Sequence, residues 1–146
     1  MKKFLITVLC FITAFSCVSF ADSGVNVIIN GNKTEFDVPP KIINNRTMVP
    51  MRKIFETLGA NVEWVSEAQL IIATKGIKII AMEIGQNSFS ITDITTGVTE
   101  TVELDVPPQI VDSRTLVPVR AISEALDMNV GWEAETQTVI INNIQE

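Results

Sequence analysis

Arg52 with Glu56, and Arg120 with Glu124, are the residues in this chain that most resemble a working site, each pair four positions apart. Close to them lie two more arginines, Arg46 and Arg114, and two tryptophans, Trp64 and Trp132. A guanidinium fork suits carboxylates or carbonyls, and an indole stacks on apolar or sugar faces. The chemistry open to this set is narrow, because the 146 residues hold no histidine, no tyrosine and only two cysteines. Without histidine there is no Ser-His-Asp or Cys-His relay and no imidazole ligand set for zinc or copper. Catalysis would fall to carboxylates, lysines or hydroxyls. Glu100 with Glu103, and Glu133 with Glu135, are the obvious clusters. Nothing around them sets up the raised carboxyl pKa that a general acid needs, and charged strand edges that resist aggregation account for them. The expectation is a non-enzyme without cofactor or metal.

Each candidate also has a plainer reading. Arg52–Glu56 and Arg120–Glu124 have the spacing of an exposed helical ion pair, worth about 0.2–0.5 kcal/mol and less in the Arg-first order. Arg46 and Arg114 either tie a turn to a helix or to an acid such as Asp37 or Asp105, or they hold a ligand. Trp64 and Trp132 share strand register with Val62 and Val130, which points them to the core; the competing reading is a sugar-stacking platform.

The elements that carry these residues occur twice. DVPPKIINNRTMVPMRKIFETLGANVEW, from Asp37, aligns without a gap on DVPPQIVDSRTLVPVRAISEALDMNVGW, from Asp105. Two units are too few for a solenoid, so the duplication reads as one pseudo-symmetric domain with half-repeats at about 25–74 and 88–142. Asn30-Gly31 between β-favouring runs predicts a hairpin, and SFSITDITTGVTETVEL has the same character with a longer turn. Pro39-Pro40 and Pro107-Pro108 force extended connectors. Pro50 and Pro118 are placed to open helices as first helical residues. Met51, Ile54, Phe55 and Leu58 form a core-facing stripe, repeated by Val119, Ile122 and Leu126. Gly59 is a helix stop; Asp127 replaces it in the second copy, where a looser exit is expected. Strands follow at 61–65, 70–73, 77–84, 129–132 and 138–141. The fold class is α+β, an antiparallel sheet wrapped on two short helices.

Residues 1–21 have the grammar of a secretory signal peptide: Met1-Lys2-Lys3, an apolar run, then Ser19-Phe20-Ala21 before Asp22. The alternatives, a membrane anchor or a lipoprotein at Cys17, lack a stop-transfer cluster and the usual leucine. Cleavage removes both cysteines, so the domain at 22–146 relies on its core alone. It also removes Lys2 and Lys3 and leaves a chain near −8, more acidic than the full chain at −6. An acidic surface argues against nucleic acid and anionic membranes as partners.

The string PPKIINNRTMVPMRKIFETLGANVEW, with the RTxVPxR…E.LGA.V.W signature, resembles the N-terminal domain of the copper amine oxidases, and the likeness covers nearly all of 25–142. That module, often called a stalk domain, recurs in secreted and surface proteins of Gram-positive bacteria. The resemblance implies a small antiparallel sheet wrapped on a helix, set apart from any catalytic domain, at the cell envelope. It does not bring amine oxidase activity, which needs a tyrosine-derived quinone and three copper-binding histidines. The expected function is a secreted, non-catalytic interaction or spacer module that meets a protein or a wall component. The alternatives are a carbohydrate-binding module and a carboxylate hydrolase.

Overall fold

In the computed structural model, residues 24–144 are described; the expected signal peptide lies outside them. The described residues open with a hairpin, β1 (Asn26–Ile29) and β2 (Asn32–Lys33), turning through Asn30-Gly31. A second hairpin, β3 (Lys41–Ile43) and β4 (Arg46–Pro50), turns at Asn44-Asn45. The two asparagines have φ of 48° and 64°, the left-handed pair that a two-residue hairpin turn requires and asparagine tolerates. Helix α1 (Met51–Thr57) follows, then β5 (Asn61–Val65), β6 (Leu70–Lys75) and β7 (Lys78–Glu83). The second copy runs β8 (Ser88–Asp93), β9 (Thr99–Glu103), β10 (Gln109–Val111), β11 (Arg114–Pro118), α2 (Val119–Ala125), β12 (Met128–Glu133) and β13 (Thr138–Asn143). The α+β class is as expected.

Three sheets share these strands, in the orders β10-β11-β4-β3, β5-β6-β7-β8-β9 and β12-β13-β1-β2. The first carries the pseudo-two-fold: β4 and β11 are antiparallel, Val49 faces Val117, and Met48–Pro118 and Pro50–Leu116 flank them. In the other two, each half gives its closing hairpin to the opening hairpin of the other half. β5–β6 reaches β8–β9 through β7. β13 lies directly on β1, the one parallel pairing among the described residues, from Asn26–Thr138 to Ile29–Ile141. Neither half therefore closes its own sheet.

The core runs between the sheets and under both helices. Val49, Ile54, Phe55, Ile71, Ile80, Met82, Val117, Ile122 and Ile141 have no exposed surface, and each aliphatic or aromatic side chain so buried is worth about 1.5–3 kcal/mol. A smaller cluster, Met48, Leu116 and Val106, is separate from this core, so β4 and β11 are buried on both faces. Helices of seven residues are unstable alone; α1 holds by Met51, Ile54 and Phe55, α2 by Val119, Ile122 and Ala125.

Two local expectations are corrected. Pro50 and Pro118 end their strands and cap the helices rather than occupying the first helical position; their extended ψ of 122° and 116° still lets the chain pass from strand to helix without an interior N–H to satisfy. The second helix exit is not looser. Asp127 takes φ 61° where Gly59 takes 83°, and Lys78 of β7 secures it with Nζ contacts to the Asp127 carboxylate at 2.6 Å and the Ala125 carbonyl at 3.3 Å. A cation at a helix C-terminus is favourable. No helix among the described residues is long and apolar enough to cross a membrane.

Candidate functional site

Seven of the eight candidate residues line two equivalent grooves, each of which takes one of its two arginines from the other half; Glu124, paired with Arg120, lines a neighbouring cleft instead. Because β4 and β11 run antiparallel with Met48 opposite Pro118, the start of β4 lies beside the start of α2, and the start of β11 beside α1. Arg114 thus joins Arg52, Glu56 and Trp64 around one groove of about 650 Å3. Arg46 joins Arg120 and Trp132 around another of about 580 Å3.

Both imported arginines meet a carboxylate of the half they enter. Arg114 donates from Nε to Asp37 at 2.8 Å, and Arg46 donates from Nε to Asp105 at 2.9 Å, with a second bond from Nη2 to the same oxygen. Each guanidinium also reaches the carbonyl just before it, Asn45 at 3.2 Å and Ser113 at 3.4 Å. The hydrogen bond from Arg114 is the main reason the Asp37 carboxyl is held below its ordinary pKa. These are charge-assisted contacts on a partly exposed surface, and their geometry ties the loop after one half's first hairpin to the other half's central hairpin.

On the helices, Arg52–Glu56 and Arg120–Glu124 form matching contacts of 3.6 Å, more than half exposed. The second differs in one respect: Arg120 Nη1 also donates to the Val130 carbonyl at 3.1 Å, binding α2 to β12.

The tryptophans separate the two grooves. Trp64 is half-buried against the core, with Lys53 and Glu35 walling its groove. Trp132, expected in the core, is 43% exposed. It does share a strand face with Val130 and Met128, but it stands near the strand's end, one residue before Glu133. The counterparts of Lys53 and Glu35, Ala121 and Glu103, line a neighbouring cleft instead of this groove. The ring is left open between Ile42, Arg46 and Arg120.

The chemistry offered by these grooves is recognition: fixed guanidinium planes, one open indole and shallow walls. Among the described residues, no three histidine, cysteine, aspartate or glutamate side chains come together as a metal-holding group. Sequence reasoning brought out the arginines and their acids; it missed Lys78, which reads as an ordinary strand lysine until β7 is placed beside α2.

The family profile described as the copper amine oxidase N-terminal domain matches residues 28–141. Among curated proteins no match is found.

Proposed function

The chain belongs to the copper amine oxidase N-terminal domain family, whose domain is a non-catalytic module, and from that premise we propose that this protein is a secreted interaction or spacer module of the cell envelope. One observation carries the reading: two of the candidate site residues, Arg46 and Arg114, are engaged with Asp105 and Asp37 and join the two halves. A domain whose halves exchange hairpins and are tied by reciprocal ion pairs resists shear, as a spacer or display scaffold needs. The signal-peptide grammar of residues 1–21 supports export, and a mature N-terminus at Asp22, read by mass spectrometry of the producing cells' culture and envelope fractions, is the matching outcome. The main test compares Arg46→Ala and Arg114→Ala with wild type. The reading predicts that both melt at lower temperature before any envelope partner is lost in pull-down. Unchanged melting with loss of a partner contradicts it.

A second reading is favoured by the open Trp132 between Arg46 and Arg120: a carbohydrate-binding module for wall polysaccharide. An indole face with flanking guanidinium donors is the chemistry by which proteins hold pyranose rings. It predicts that soluble wall polysaccharide shields Trp132 from acrylamide in a Trp64→Phe variant. No change in quenching removes it.

A further inference from the structure

The two opening hairpins are unequal: β1 and β2 run four and two residues, β8 and β9 six and five. The longer one leaves a cleft of about 620 Å3 between its inner face and α2. Strand alternation puts Phe89, Ile91 and Val102 on that face, with Glu100 opposite Ile91 and Val102 opposite Phe89. Ala121 and Ala125 form the helical wall, and Val98, 65% exposed, stands at the turn end.

The rim is acidic, six carboxylates against three cations. All three cations are already engaged, Arg46 with Asp105, Arg120 with Glu124 and Lys78 with Asp127. Of the remaining acids, Asp93 is held by the Thr95 and Thr96 amides of its own turn. The Glu100 and Glu103 side chains make no hydrogen bond or ion pair among the described residues. Both lie on β9, the outer strand of its sheet, whose far edge has unpaired backbone groups.

We propose that this cleft binds an extended polypeptide segment laid along β9, with apolar side chains on its inner face and lysine or arginine beside them. On the inner face, which Val98, Glu100 and Val102 share by strand alternation, apolar residues would cover the two valines with a cation between them at Glu100, a cation on the outer face would meet Glu103, and the backbone would extend the sheet by one strand. Charge complementarity chooses this occupant, since an acidic or neutral segment would bring Glu100 and Glu103 no partner. The inference rests on the interaction reading; its failure leaves the spacer reading standing.

The test is titration of the full chain with a Lys-Val peptide of about eight residues that presents valine, lysine and valine in turn on one strand face and lysine on the other, followed by calorimetry and by amide chemical shifts. The expected result is binding that weakens with salt, with shifts centred on β9 and Ala121. The double variant Glu100→Lys/Glu103→Lys weakens it at least about tenfold. Ala121→Met, which fills the cleft without adding a charge, does the same, while Glu63→Lys on β5 leaves it unchanged. A Lys-Ser peptide binds at least about tenfold less tightly, because it lacks the apolar face. Absence of binding overturns the proposal. So does equal binding by the Lys-Ser peptide, by either cleft variant while its circular dichroism matches wild type, or by the same peptide with glutamate in place of lysine.

Discussion

Helix α1 ends on Gly59 and anchors itself with Phe55, whereas α2 ends on Asp127 and has Ser123 at the position of Phe55. The first helix solves its problems with its own residues: a large buried ring, and a glycine that accepts φ 83° without strain. The second solves the same problems with neighbours. Ser123 turns its hydroxyl back to the Val119 carbonyl at 2.7 Å, Lys78 holds the Asp127 exit, and Arg120 fastens α2 to β12 through Val130. The difference teaches that the two halves share a backbone but not a division of labour. Phe55 packs α1 where neighbours brace α2, and the second half carries the exposed Trp132 and the β8–β9 cleft.

The sharpest way to break this comparison is Phe55→Ala. Emptying a fully buried ring site should cost about 3–5 kcal/mol, against about 1 kcal/mol or less for Ser123→Ala, which removes only a local hydrogen bond. Urea denaturation of the two variants measures both, and equal losses contradict the assignment of the core anchor to α1.

A smaller contrast lies at the helix exits. Gly59→Ala puts a side chain at φ 83° and should cost about 1–2 kcal/mol. Asp127→Gly relieves a left-handed aspartate while losing the Lys78 partner, and should stay within about 0.5 kcal/mol of wild type. Lys78→Ala keeps the strain and removes its support, so it should lose about 0.3–1 kcal/mol in thermal melts.

The ion pairs give a pH signature. Asp37 is held below the ordinary carboxylate value by Arg114, so its contribution to stability is present above about pH 3.9 and is lost as pH falls through its folded pKa. In that window the unfolded chain binds the proton first. Carboxyl titration by NMR should find Asp37 low in wild type and higher in Arg114→Ala. The smallest expected effect is on the helix surfaces. Arg52→Ala should cost no more than about 0.2–0.5 kcal/mol, and Arg120→Ala somewhat more because it also frees the Val130 carbonyl.

Much of this was readable before any coordinates. The duplicated string exposed the two-fold, Asn30-Gly31 named its turn, and the apolar stripe located α1 to within two residues of its ends. The pairing of Arg46 and Arg114 with acids was an option raised by the residue types. What stayed hidden depends on partners distant in the chain. Period-2 alternation marks β13 and β1 as strands but says nothing of their lying side by side, so the hairpin exchange was invisible. Trp132 has the core-facing register, yet burial at a strand's end is decided by what reaches over it, and Ala121 does not. The Asp127 exit looked weak because Lys78 lies 49 positions away.

The central claim is that the halves interlock into one cooperative scaffold. Trp64 belongs to the first half and Trp132 to the second, so Trp132→Phe and Trp64→Phe variants each leave one reporter. In urea, the indole fluorescence of each variant should change in a single transition that coincides with its own backbone circular dichroism. If either indole reports a midpoint away from the backbone signal of the same variant, the halves unfold separately and the account of an interlocked scaffold is wrong.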